Sequence, residues 1–209
     1  LPNRVAFVVA LFATWRLGAV ATPISPTLVP AEVAYQVADA GAVVLVVDRD
    51  VDSEVPVLHV DDMGGEPRTA EPVVTGDEDL ALLIYTSGTT GRPKGVMLAN
   101  ANLNAMCAMV IEGFELSESD HSMLILPLFH VNGIVVSVLS PLLAGGRATI
   151  AGRFNPATFF ERLESSRATY FSAVPTIYTM LLGLPAEVQP DTSAVRFAVI
   201  RNLRRLVHR

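Results

Sequence analysis

Leu83-Ile84-Tyr85-Thr86-Ser87-Gly88-Thr89-Thr90-Gly91-Arg92-Pro93-Lys94-Gly95-Val96-Met97 decides how the rest of the chain is read. The apolar run from Leu80 to Tyr85 predicts a buried strand. Four hydroxyl residues, Thr86, Ser87, Thr89 and Thr90, and three glycines, Gly88, Gly91 and Gly95, then surround Pro93 and Lys94. A helical pattern is predicted from about Ala99. Strand, polar glycine-rich loop and helix together make an anion site, because backbone amides and a helix N-terminus present donors there. The glycines let the backbone approach a ligand or take a positive φ. The hydroxyls add donors. Lys94 adds a mobile positive charge and is the only lysine in the chain. The set suits a triphosphate; the competing reading is an ordinary Gly/Ser/Thr turn.

The spacing excludes the usual nucleotide P-loop, which needs glycine before its lysine and Ser or Thr after it. Here Pro93 precedes Lys94 and Gly95 follows it. The stretch from Tyr85 to Gly95 instead resembles the signature loop of the adenylate-forming superfamily. That superfamily includes acyl-CoA synthetases, aryl-CoA ligases, luciferases and peptide-synthetase adenylation domains. The resemblance implies that Thr86, Ser87, Gly88, Thr89, Thr90, Gly91 and Lys94 grip ATP phosphates while a carboxylate attacks the α-phosphorus.

A second constellation is Leu126-Pro127-Leu128-Phe129-His130-Val131-Asn132-Gly133. On chemistry alone, a Pro-aromatic-His-Gly loop at a strand end places a histidine beside a ligand or packs it into the core. The segment is similar to the superfamily motif whose histidine lies near the acyl pocket and the activated carboxylate. That implies a substrate-binding role for His130, with no proton transfer assigned to it.

Composition narrows the class. The chain has 209 residues, enough for one sizeable core. Its hydrophobic content of 51% and mean hydropathy of +0.43 exclude a disordered chain. A net charge of -6 and pI near 5.2 argue against a nucleic-acid binder. Cys107 is the lone cysteine, which excludes an internal disulfide framework and a cysteine zinc cluster. It reads as a small buried hydrophobe. No basic leader precedes the first apolar segment, so no secretory peptide is expected. Met123 to Gly146 lacks Asp, Glu, Lys and Arg and is long enough to cross a bilayer. Pro127, His130, Asn132, Ser137, Ser140 and Pro141 interrupt it, and a buried strand and helix are predicted instead. Asp48, Asp50 and Asp52 read as surface charge at a strand end rather than a metal site. His59 has no ligand-spaced partner, and Trp15 reads as core.

Helices are predicted over 4–17, 30–38, from about 99, over 135–143, from Asn155 and over 174–182. Strands are predicted over 19–24, 43–47, 57–60, 80–85, 122–126, 147–151, 169–171 and 195–200. The alternation predicts a layered α/β fold, with mostly parallel sheets flanked by helices. The resemblance makes residues 1–200 a partial N-terminal domain of the adenylate-forming fold. Residues 201–209, with four arginines, form an anomalous basic tail after it. The superfamily's later adenine, ribose and magnesium motifs, and its C-terminal catalytic domain with a catalytic lysine, have no counterpart in the sequence. No catalytic or metal-binding residue is therefore assigned, and little turnover is expected from this chain alone.

The resemblance implies ATP and Mg2+, with CoA as co-substrate, in a fatty-acyl-CoA ligase that makes an acyl-adenylate and passes it to the thiol. The expected partners are a carboxylic acid, chiefly a fatty acid, CoA, and a further polypeptide segment. No nucleic acid or transmembrane span is expected. The expected location is cytoplasmic, with peripheral membrane attachment as a variant. Two alternatives stay open: an adenylation domain serving a carrier protein or another acceptor, and a noncatalytic ATP-binding or regulatory fragment.

Overall fold

A computed structural model describes residues 1–64, 71–86, 92–185 and 187–200. The chain divides into two compact units, Leu1–Leu103 and Asn104–Arg209. The first contains α1 (Val5–Arg16), α2 (Pro30–Asp39), β1 (Leu45–Val47), β2 (Val57–His59), a 3-10 turn (Val60–Gly64), β3 (Leu80–Thr86) and β4 (Lys94–Ala99). Helix α3 (Asn100–Phe114) contains the boundary. The second unit continues with β5 (His121–Leu124), α4 (Val131–Ile134), a π turn (Val135–Leu139) and α5 (Ser140–Leu143). It ends with β6 (Arg147–Ile150), α6 (Pro156–Ser166), β7 (Tyr170–Ala173), α7 (Pro175–Leu182) and β8 (Phe197–Ile200).

Strand β3 is the spine of the first unit, as its apolar run predicts. Ala81, Leu82 and Ile84 are buried. The Trp15 indole donates to the Ala81 carbonyl at 2.9 Å, which docks the end of α1 on the strand. The strand predicted over 19–24 shrinks to a parallel bridge between Ala21 and Leu82. Pro23 and Pro26 explain this, because neither has an N–H to extend the ladder. β1 and β2 form a separate parallel pair.

The larger correction lies after the loop. The sequence predicts a helix directly after the loop, but β4 intervenes and pairs antiparallel with β3. Its apolar centre, Val96-Met97-Leu98, is too short to register as a strand beside a long helical pattern. Helix α3 then starts at Asn100. The Asn102 side chain accepts from the Ala99 amide at 2.9 Å, and Asn100 donates to the Gly76 carbonyl at 2.9 Å.

The second unit is a four-stranded parallel sheet in the order β6-β5-β7-β8. Every residue of its central strands β5 and β7 is buried. Met123, Phe159, Leu163, Phe171 and Ile177 pack one cluster, joining the sheet to α6 and α7. Leu116, Tyr170 and Phe197 form another. Each fully buried apolar side chain contributes about 1.5–3 kcal/mol relative to exposure. Asn155 caps α6 as predicted, accepting from the Ala157 amide at 3.0 Å, with Pro156 in the first turn.

The helix predicted over 135–143 begins four residues earlier, at Val131, and contains the π turn. Proline accounts for an open carbonyl there. The Ser140 amide bonds to Val135 with π spacing. The next such bond, to Val136, would need an N–H that Pro141 lacks. The Tyr170 phenol fills the position, donating to the Val136 carbonyl at 2.8 Å.

Asp120, Thr169 and Arg196 clamp the amino ends of β5, β7 and β8. Asp120 is fully buried and accepts from the Ser117 amide at 2.9 Å, Thr169 Oγ1 at 2.9 Å and Arg196. Burial pushes its carboxyl up. The bonds from Arg196, Ser117 and Thr169 outweigh that and hold it below the usual carboxylate range.

Candidate functional site

The predicted phosphate loop joins β3 to the antiparallel strand β4. Thr86 and Lys94 are direct cross-strand partners. Opposite residues of an antiparallel pair project on the same face, so one hydroxyl and the sole lysine stand together at the loop's mouth. Both are exposed. Ser87, Gly88, Thr89, Thr90 and Gly91 lie outside the described residues.

Two expectations about this loop change. A helix N-terminus does not follow it directly: six-residue β4 puts the start of α3 roughly 20 Å along the chain from the hairpin mouth. Gly95, in turn, lies in an extended strand. A Cβ there would fall 2.8 Å from Leu83 Cδ1, so its missing side chain makes room for Leu83.

Helix α2 reaches both stems of the hairpin. The Tyr85 phenol donates to Asp39 Oδ2 at 2.5 Å. The Tyr35 phenol donates to the Pro93 carbonyl at 3.2 Å. The Arg92 guanidinium lies 6.0 Å from the Tyr35 ring centroid. Burial and the hydrogen bond to Asp39 push the Tyr85 phenol well above its ordinary range. Sequence reasoning passed over Tyr35 and Asp39; their signal was the i, i+4 spacing that puts both on one helix face.

His130 belongs to the second unit. It is exposed at the N-cap of α4, in the segment leaving the carboxyl end of β5. Its ring centroid is 4.4 Å from that of Phe129. The turn beneath it depends on Gly133, where a Cβ would fall 2.5 Å from the Pro127 carbonyl oxygen. Ser172 Oγ donates to Asn132 Oδ1 at 3.1 Å, tying the turn to the carboxyl end of β7. Open α/β sheets bind ligands beyond the carboxyl ends of their strands, and His130 follows such an end. Ser172 was not read as part of this arrangement from the sequence.

The other residues singled out have structural partners. Cys107 is buried, and burial pushes its thiol up. Asp48 pairs with Arg4 at 3.3 Å, and His59 Nδ1 accepts from the Asp61 amide at 3.3 Å. Among the described residues no helix is long and apolar enough to cross a membrane. An open cleft of about 670 Å³ between residues 150 and 156 and Arg162 holds none of the predicted residues. The Arg162 guanidinium there bonds the Ala151 carbonyl.

A parallel α/β sheet flanked by helices, together with the signature hairpin, defines the class. The model of the family described as AMP-binding enzyme matches residues 1–202, and the chain belongs to that family. Among curated relatives, oxalate–CoA ligase of Arabidopsis thaliana is 32% identical, over 96% of this chain and 44% of the relative. Feruloyl-CoA synthase of an Amycolatopsis species is 34% identical, over 93% of this chain and 41% of the relative. The solved structure of ATP-bound MatB from Rhodopseudomonas palustris superposes with a TM-score of 0.83 at 29% identity. That match covers 95% of this chain and 43% of the solved one. The chain thus spans less than half the length of these relatives.

Proposed function

We propose that this chain supplies the phosphate-gripping part of an ATP-dependent carboxylate–CoA ligase. The observation that carries the reading is the Thr86–Lys94 pair at the mouth of a hydroxyl- and glycine-rich hairpin. A bare carboxylate oxygen is a poor leaving group, so the acid must first be activated. In the proposed reaction a carboxylate oxygen attacks the α-phosphorus of ATP, forming acyl-adenylate and releasing pyrophosphate. The CoA thiol then attacks the acyl carbon, and AMP leaves with the bonding electrons. Lys94 and the loop hydroxyls stabilise phosphate charge by oriented donation. Magnesium would arrive with ATP and offset phosphate charge; no residue of the chain is assigned to it. His130 is the proposed acid-side contact.

The acid is proposed only as a carboxylate. The fatty acid expected from the sequence draws no support from relatives named for oxalate and ferulate. Calorimetry with Mg·ATP tests the phosphate part: Lys94→Ala is expected to weaken binding at least 10-fold, since it deletes a charge-assisted donor. Equal affinity and enthalpy in the variant would overturn the role. Acid-dependent ATP–pyrophosphate exchange by the intact protein, with oxalate, ferulate and palmitate as separate arms, then sorts the acid class.

A further inference from the structure

We propose that Tyr35 and Asp39, one turn apart on α2, are positioning residues that hold the two stems of the phosphate hairpin for ATP. The proposal rests on the ATP reading given above. One bond reaches each stem. Tyr85, held by Asp39, is the penultimate residue of β3, and Pro93, held by Tyr35, immediately precedes β4. Arg92 also approaches the Tyr35 ring, which brings a residue of the loop itself to the same helix face. Binding a flexible triphosphate carries an ordering cost. Fixing the hairpin's stems in advance removes part of that cost from the binding step.

The placement of Asp39 is hard to explain by helix stability. It is the last residue of α2, where the helix dipole disfavours negative charge. It is exposed. Among the described residues it takes part in neither of the ion pairs that join Arg4 to Asp48 and Arg196 to Asp120. Its partner is the Tyr85 phenol, at the 2.5 Å of a charge-assisted O–H···O bond. A carboxylate beside a triphosphate loop also opposes ATP by charge alone. The two roles therefore predict opposite signs. A bystander carboxylate, once removed, would leave ATP bound more tightly; a latch, once removed, leaves it bound more weakly.

The experiment titrates Mg·ATP calorimetrically into the wild-type chain, Asp39→Ala, Asp39→Asn, Tyr85→Phe, the Asp39→Ala/Tyr85→Phe pair and Tyr35→Phe, with thermal unfolding run alongside. Asp39→Ala and Tyr85→Phe should each weaken ATP about 3- to 10-fold, the range for one ordinary hydrogen bond, because the bond acts on ATP only through the stem it positions. The pair should match the weaker single variant, because both delete one bond. Asp39→Asn keeps an acceptor and should stay within about twofold of wild type. Tyr35→Phe deletes one hydroxyl from a half-buried ring and should weaken ATP about 2- to 5-fold. It keeps the proposal testable should the Asp39 or Tyr85 variants fail to fold.

Tighter binding by Asp39→Ala, additive losses in the pair, or lowered melting temperature with unchanged affinity would each overturn the latch. If the wild type binds ATP and the variants bind it equally, the latch alone fails. If the wild type takes no ATP, the ATP reading fails and the latch with it.

Discussion

The β3–β4 hairpin and the β5–β7 centre of the parallel sheet hold their candidate residues by different means. In β5 and β7 every side chain is buried, and His130 lies on a segment leaving that scaffold. In β4 no position is buried and half are exposed: Met97 is 71% exposed and Val96 43%. Lys94 therefore stands on a strand that packing does not enclose, and hydrogen bonds join both stems of the hairpin to α2. Burial secures the sheet, whereas the open hairpin is tied down by specific polar contacts.

The largest test of the contrast compares one substitution in both places. Met123→Ala, at a fully buried β5 position, should cost about 2–5 kcal/mol. Denaturant unfolding followed by circular dichroism reads the change, and a loss below about 1 kcal/mol would contradict the account of β5 as the packed scaffold.

Next comes the clamp at the amino ends of the sheet. Arg196→Met strands the Asp120 carboxylate, which is wholly buried, while the Arg196 side chain is 38% exposed. Breaking a fully buried pair costs about 3–5 kcal/mol; solvent screening of Arg196 brings the expected loss to about 2 kcal/mol. Asp120→Asn combined with Arg196→Met should recover part of it, since no unpaired charge remains.

Acid should weaken the same end of the sheet in two steps. Burial, with Arg147 nearby, holds the His121 imidazole below its ordinary value. The unfolded chain therefore takes up that proton first, and stability falls as pH drops from about 6.5 toward the depressed folded value. Asp120 is depressed too, so its contribution is present above the ordinary carboxylate value near 4 and is lost as pH falls below it. In melting-temperature profiles, His121→Gln should remove the upper step and leave the lower one. A wild-type profile flat from pH 7 to 5 would count against the His121 assignment. The smallest effect is Met97→Ala on open β4, expected within about 0.5 kcal/mol of wild type.

Much of this arrangement was legible in residue order. Buried strands announced themselves as short apolar runs, and Asn155-Pro156 marked the start of α6. The signature loop pointed to its family before any contact was known. What stayed hidden depended on partners distant in sequence. β4 has meaning only against β3, and its Val-Met-Leu centre alternates too little to proclaim a strand. Gly95 resembled a ligand-side glycine, and it also leaves room for the Leu83 side chain across the ladder. Tyr35 and Asp39 lie 58 and 46 residues from the groups they hold. Ser172 sits 40 residues from Asn132. No local pattern reports such pairings.

The π turn at Val135–Leu139 has a consequence for how this segment can change length over generations. A π turn carries one residue more than the α turn it replaces. Deleting one residue from an ordinary helix rotates everything beyond it by about 100° and turns a buried face outward. Here the surplus residue is already accommodated locally. A lineage that lost it could restore plain α geometry with both flanks still facing the core. It would have to find another acceptor for the Tyr170 hydroxyl, which now uses the carbonyl that Pro141 leaves open. Tyrosine at 170 and proline at 141 thus form a natural pair of characters to change together with any gain or loss of a codon in this turn.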